Sequence, residues 1–577
     1  MKKLLRKYLP ILEVLSNYDI SKLKNDIVAG ATVGVVLIPQ GMAYAIIAGV
    51  PPIYGLYAGL LPLFIYPLFG TSRHISIGPV AIDMLILAAG LGILAGDDLT
   101  QKAILAVMIA VLTGILQVLM GVFKLGFAFN LFSRPVISGF TIAAPIIIIA
   151  SQMGTLLNID IPNTQYIYEI FYHLSGHFDQ VHFPSLALSI AFICFLAGMK
   201  RFYSHLPESV ILVGLTILVV SFVNIADFGI SQIGEIPSGL PDFALHSTSY
   251  EEIKSLLPNA LTLALIQFMT VASLSKSFAR KHGYTVNPNQ ELIAIGSSNI
   301  VGGLFQSLPV SSSFSRSAIA EQAGAKTSIN NIFAGILILL TLLFLTSLFE
   351  VLPEPLLGAI IVVSVSSLID IKELRFLINT KRRDAVVAFI TFASVLVIGI
   401  QEGIIIGIIA SVLALLIKMS KPTVAELGLI PDTRDFKNIS RFDNAKKIPG
   451  VLILRIDASF SFVNAEFFKN YILEESMNRN TSPKYVIIDG STIGDLDVSA
   501  IDTLMMIIET LNKYGIELYL SGLIGPVRDV IRRSEIGAFV KSDRIYSTVH
   551  EAVKAALRKQ DLGDEGSRLS DYSNHSA

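Results

Sequence analysis

The sequence predicts an α-helical multi-pass membrane protein of about fourteen segments, followed by a small α/β domain. Three observations carry that prediction. Of the 577 residues, 53% are hydrophobic and 15% charged, with a mean hydropathy of +0.65, whereas water-soluble domains carry about 25% charged residues. Apolar runs follow one another from about residue 26 to 419 with short polar breaks. After Lys421-Pro422 the texture changes to short β-rich runs alternating with helical ones, the pattern of an α/β domain.

Residues 1–25, MKKLLRKYLPILEVLSNYDISKLKN, carry positive charge but no continuous apolar stretch before a small-residue cleavage site. They read as a cytoplasmic amphipathic lead-in and not as a signal peptide. Residues 26–419 form the membrane part, measured by the roughly 20 residues a helix needs to cross the hydrocarbon. Two stretches, SRHISIGPVAIDMLILAAG and SLPVSSSFSRSAIAEQAG, are too short or too polar to be plain spans. Backbone polar groups cannot face lipid unpaired, so interrupted helices at that depth must line protein or water. Both stretches are therefore candidates for a site.

Charge sets the orientation. Lys2, Lys3, Arg6 and Lys7, then Lys200 and Arg201, then Lys276, Arg280 and Lys281, alternate with basic-poor loops such as Asn158–Phe183, which holds no Lys or Arg. Lys372, Arg375, Lys381, Arg382 and Arg383, then Lys418 and Lys421, complete the series. An even number of spans with both ends in the cytoplasm, across the cell's inner (plasma) membrane, satisfies the positive-inside rule.

Residues 423–559 form the soluble domain. GVLILRID, KYVIIDG and IELYLSG read as strands, and a helix is expected from about Val498 to Lys513. The tail 560–577 is polar and expected to be disordered. A net charge of −1 argues against a nucleic-acid partner. The single cysteine, Cys194, lies in an apolar run, which excludes a disulfide framework and a cysteine-built metal site. His173, His177 and His182 sit in one outer loop, where unligated histidines are a better reading than a metal site. No phosphate-binding glycine loop is present, so neither enzymatic activity nor a cofactor is expected.

Several motifs carry a specific resemblance. Pro52–Ala81 (PIYGLYAGLLPLFIYPLFGTSRHISIGPVA), Leu37–Ala45, Ser133–Thr141, Lys281–Gly296, Ser313–Thr327 and Gly399–Ile408 closely resemble the sulfate permease (SulP) family, relatives of the animal pendrin and prestin exchangers. VIIDGSTIGDLDVSAIDTL and GPVRDVIRRSEIGAF resemble the STAS domain those proteins carry. The resemblance implies two inverted seven-segment repeats divided into core and gate domains, commonly a homodimer. It also implies alternating-access transport of a small inorganic or organic anion such as sulfate, bicarbonate, chloride, oxalate or a dicarboxylate.

An anion stripped of water needs positive potential, which helix N-termini supply, and transporters place such ends at the repeat interface. The third segment begins SIGPVA: Gly78 permits close backbone approach, Pro79 suits the first helical position, and Val80 follows. The tenth begins with Ser311, Ser312 and Ser313 as candidate caps. A kink in a packed helix is the other reading of the same residues. Arg316 is the sharpest residue, because an intramembrane arginine defaults to function; the alternative is a lock paired to a carboxylate. Phe314 and Ser315 beside it, and Gln40 and Tyr44 from the first segment, complete the candidate anion site. Arg73 and His74 are expected at the cytoplasmic interface.

In many bacterial and plant relatives a carboxylate in the eighth segment couples transport to a cation or proton. Matching from Lys276–Ala279 puts Thr270 at that position, and Thr cannot titrate. Exchange or uncoupled movement is therefore expected over proton symport, with sodium coupling left open. In the STAS-like part, Ser499 matches a phosphorylatable position, although Ala500 replaces the Gly that follows it; capping by Asp497 and Ser499 is the plainer reading. A channel, an anion sensor and a nucleobase carrier of similar fold are the rival functions.

Overall fold

The structure, a computed structural model, describes residues 9–560 except 17, 97, 127–132, 160, 162–165, 204–207, 224, 245–248, 367–368, 478–481 and 540–541. The tail, apart from Gln560, and the basic cluster Lys2–Lys7 therefore lie outside the described residues. Two compact units divide at Ser411 and Val412.

Fourteen helical segments make up the apolar part of the described residues, beside shorter helices such as Ile167–Gly176 and Ile371–Thr380, and the last of them runs past Ser411. In chain order these are α1 (Ile20–Ile47), the broken pair α2 (Ile53–Ala58) and α3 (Leu61–Phe69), α4 (Ala81–Ala95), α5 (Leu99–Val122), α6 (Arg134–Ser151), α7 (Phe183–Phe202) and α8 (Glu208–Val220). The second seven are α9 (Tyr250–His282), α10 (Pro288–Leu304), α11 (Phe314–Gln322), α12 (Asn330–Phe344), α13 (Glu354–Ser366), α14 (Arg382–Val397) and α15 (Ile400–Ser420). Seven stretches are long and apolar enough to cross a membrane. The short ones include α4 and α11, which are the two interrupted segments read from the sequence.

Local chemistry sets the ends. Ser249 and Glu252 make a reciprocal capping box at the start of α9, and Arg280, Lys281 and His282 fill its last turn before Gly283 at φ +68°. The Arg280 and Lys281 cations complement the helix dipole, and glycine takes the left-handed position without a Cβ penalty.

Packing couples the two halves in two sets of helices that α1 bridges. α1 packs on α12 and α5 on α10, α6 packs on α14 and α7 on α13, and α1 also meets α13 and α8. The α5–α10 crossing is close because two glycines face each other: a Cβ on Gly114 would lie 2.5 Å from Gly296 O, and one on Gly296 2.7 Å from Gly114 O. Small residues at such crossings let backbones approach and gain dispersion contacts where lipid supplies no hydrophobic drive.

The third and tenth segments each begin as a strand. β1 (Ser76–Gly78) and β2 (Ser311–Ser313) form an antiparallel ladder with Ser76 opposite Ser313, Ile77 opposite Ser312 and Gly78 opposite Ser311. All six residues are buried. The paired ladder satisfies backbone groups that would otherwise stand open inside the membrane part.

The second unit is a six-stranded sheet, β3 (Val424–Leu429), β4 (Phe436–Asn438), β5 (Val451–Ile456), β6 (Tyr485–Asp489), β7 (Glu517–Ser521) and β8 (Ile545–Tyr546), in the order β4-β3-β5-β6-β7-β8. β5, β6, β7 and β8 are parallel and β3 is antiparallel to β5. Helices α16 (Ala465–Met477), α17 (Val498–Lys513) and α18 (Gly525–Arg533) contribute Phe468, Leu504, Ile508 and Val527 to its core. The three expected strands and the helix at 498–513 are present; β3 and β4 were not foreseen, since VAELGL is short and mixed.

Candidate functional site

The β1–β2 ladder positions the candidate residues. α4 and α11 leave it from opposite ends, so both N-termini point back toward the paired strands. Val80 is the N-cap of α4 and no side chain caps it. The first-turn N–H groups of α4 therefore remain available to a ligand. Ser313 caps α11, its Oγ accepting from Arg316 N at 3.4 Å.

Arg316, the third residue of α11, is fully buried. Its Nη2 donates to Pro79 O at 3.0 Å and its Nη1 to Gln40 Oε1 at 3.4 Å. Nε has no hydrogen-bond partner. No carboxylate pairs with it among the described residues, so the reading of Arg316 as a carboxylate-paired lock finds no support. A buried guanidinium facing two neutral acceptors keeps its full charge, and such a charge costs several kcal/mol unless something compensates it. The hydroxyls of Ser76, Ser311 and Ser312 on the same ladder also lack partners. Buried polar groups are rarely left so.

The other sequence-predicted residues fall as follows. Gln40 is 3% exposed on α1, with Tyr44 one turn on and also buried. Gly78 has φ +149°, and a Cβ there would come 3.1 Å from Arg316 Nη2. Phe314 is half exposed, and Ser315 lies beside it with its Oγ 3.3 Å from Ser313 Oγ. Thr270 on α9 turns its hydroxyl back to Ile266 O at 2.9 Å.

Three expectations need correction. Pro79 precedes the N-cap rather than opening the helix, and its use is the carbonyl that Arg316 reaches. Of the three serines only Ser313 caps; Ser311 and Ser312 lie in the strand. His74 is buried, with Nδ1 3.2 Å from Tyr284 Oη and its ring stacked 4.2 Å from His282, while Arg73 stays exposed over the Tyr284 ring. Asp497 caps α17 through Ala500 N at 2.9 Å, and Ser499 is left exposed without a capping bond. His177 Nδ1 bonds His173 O, and His182 Nδ1 bonds Ser185 Oγ.

One residue was missed. Asp83, in the first turn of α4, is 2% exposed and accepts from Gln267 Nε2 at 3.0 Å. Gln267 Oε1 in turn accepts from Gln117 Nε2 and Asn299 Nδ2, and Asn299 holds both N and O of Val310 at the root of β2. The signal was present: an acid inside the apolar run AIDMLIL is an intramembrane ionisable residue.

The comparisons with known proteins agree with this architecture. The family model described as "Sulfate permease family" matches residues 23–391, and that of the STAS domain matches 444–552. A probable sulfate transporter of Mycobacterium tuberculosis is 32% identical over 93% of this chain and 96% of its own. Sulfate transporter 4.1, chloroplastic, of Arabidopsis thaliana is 33% identical over 93% of this chain and 80% of its own. Among solved structures, the murine Solute Carrier 26 family member A9 anion transporter in the inward-facing state superposes with a TM-score of 0.89, at 23% identity, covering 97% of this chain and 95% of that one.

Proposed function

The chain belongs to the sulfate permease family and is a multi-pass membrane anion transporter, not an enzyme; on that premise we propose that its anion binds beside Arg316, between the N-termini of α4 and α11. The carrying observation is the buried guanidinium with no carboxylate partner, set on a ladder that also leaves three hydroxyls unpaired. An anion there neutralises Arg316, meets the free N–H groups of α4, and takes hydrogen bonds from Ser311, Ser312 or Ser315. Gln40 and Tyr44 line the α1 side, Gly78 and Val80 the backbone side, and Phe314 the open side.

Sulfate heads the panel of substrates because the relatives above carry that name; bicarbonate, chloride, oxalate and dicarboxylates suit the same chemistry. Movement is by alternating access, in which the two packed sets of helices rock about the site. With Thr at position 270, α9 has no titratable group at that point, which supports exchange or uncoupled passage. The working form is a homodimer in the plasma membrane with both termini in the cytoplasm. Ser499, exposed at the start of α17, is accessible to a kinase. Uptake of each labelled anion by purified protein in liposomes tests the reading. Arg316→Ala is expected to abolish uptake and Ser315→Ala to weaken it; intact affinity and rate in both would overturn the site.

A further inference from the structure

Three carboxylates are buried among the described residues of the first unit, and their surroundings differ. Asp26 on α1 accepts from Lys326 N at 2.7 Å, Thr327 N at 3.1 Å, Tyr18 Oη at 3.1 Å and the Thr327 hydroxyl. Glu291 at the start of α10 accepts from Thr71 N at 2.7 Å, Thr71 Oγ1 at 2.6 Å, Ser72 N at 3.1 Å and Tyr66 Oη at 2.8 Å. Four donors each are enough to hold an ionised carboxylate in place. Asp83 accepts a single hydrogen bond, from Gln267 Nε2, and forms no ion pair among the described residues. Gln267 is locked in that orientation, because its Oε1 is engaged by both Gln117 and Asn299.

The helices packed against α4 supply Asp83 with no fixed countercharge. α1, α5, α6 and α9 pack against α4. α1 presents Tyr44, with Asp26 fourteen positions before Gln40; α5 presents Gln117, with Lys102 fifteen positions earlier. α6 carries Arg134 at its first residue, already bound to Glu373 at 2.6 Å. α9 presents Gln267 and Asn259, and Lys276 stands nine positions beyond Gln267, roughly 13 Å along the helix. Arg316 remains, one hydrogen bond from Pro79 and so about a turn from Asp83.

We propose that Asp83 is the proton site of this transporter, taking up a proton as an anion binds beside Arg316 and releasing it as the anion leaves. The proposal rests on the reading of the Arg316 site given above. For a monovalent anion, charge balance selects this order of events. With Asp83 ionised, Arg316 and Asp83 sum to zero. With Asp83 protonated and a monovalent anion bound, the site again sums to zero. The other two combinations leave net charge in a low-dielectric interior. The proton comes from water at the open mouth and returns to water on the opposite side, so one proton crosses with each monovalent anion. That is thermodynamically the same as exchanging the anion for hydroxide, which gives the exchange mode a counter-ion. The network ending at Val310 connects the protonation state of α4 to the root of the strand that leads into α11.

The test uses the full chain in liposomes loaded with a pH-sensitive dye, given inward gradients of labelled chloride, oxalate and sulfate in turn. Wild type is expected to acidify the lumen with about one proton per chloride, and lower external pH should speed uptake. In Asp83→Asn the proton-to-anion ratio should fall to zero at whatever rate remains, whereas Asp83→Glu should keep proton movement. Infrared difference spectra of purified protein are expected to gain a carboxylic-acid band when chloride is added, absent from Asp83→Asn. Anion movement that requires Arg316 but brings no acidification, or an unchanged pH profile and infrared band in Asp83→Asn, overturns the assignment of Asp83. If none of the probe anions moves or binds, or Arg316→Ala behaves as wild type, the reading of the Arg316 site fails instead.

Discussion

Arg316 is held by two acceptors in different directions, Gln40 Oε1 on α1 and Pro79 O ahead of α4. A guanidinium fork can serve both while facing a ligand; a single ammonium cannot. Arg316→Lys therefore keeps the charge but loses a charge-assisted hydrogen bond worth about 1.5–3 kcal/mol. The expected result is a KM at least roughly tenfold higher with transport still measurable, read from uptake against anion concentration. His74 makes a second prediction, in the loop ahead of β1. Burial, with His282 and Arg73 nearby, pushes its imidazole down to about 4, and Glu321 only partly opposes this. The unfolded chain protonates this histidine near 6.5, so between those values the unfolded state binds more protons. The stability His74 contributes is thus present above pH 6.5 and lost as the pH falls toward 4. Thermal unfolding of wild type and His74→Gln should differ in slope across that window, and parallel curves would refute it.

At the scale of elements, the glycine crossing of α5 and α10 is the tightest test of the fold, since neither backbone can retreat without moving the ladder that α10 supports through Asn299 and Val310. Gly114→Leu is expected to cost about 1–3 kcal/mol by overpacking and to lower the unfolding temperature in detergent, while Gly92→Leu, with nothing near its Cβ position, should not. Much at this scale was legible in the sequence. The apolar rhythm marked the helices, and the polar break at SLPVSSSFSR marked the interrupted one. The pairing of Ser76–Gly78 with Ser311–Ser313 was not legible, because partners more than two hundred residues apart leave no local pattern and three residues are too few for an alternation. Pro79 was misplaced for the same reason: its role is set by a strand that only the distant partner creates. Asp83 was visible as an acid in an apolar run, yet its partner Gln267 lies 184 positions away on α9 and leaves no local sign beside it.

For the molecule as a whole, the residues gathered around Arg316, from Gln40 to Ser315, belong to the first unit, and the second unit has a core of its own built from β5, β6, β7 and their helices. A domain with an independent core and no share in the binding residues is suited to setting the rate or the folding yield of transport rather than to performing it. A chain ending at Lys421 is therefore expected to carry labelled anion in liposomes, with Arg316→Ala still abolishing the flux and the apparent affinity unchanged within about twofold, since every residue of the proposed site lies in the first unit. The measurement must be normalised to folded protein recovered by size exclusion, because loss of the second unit can lower yield without touching the cycle. A truncated protein that elutes as folded, binds anion and moves none would place the STAS domain inside the transport cycle itself.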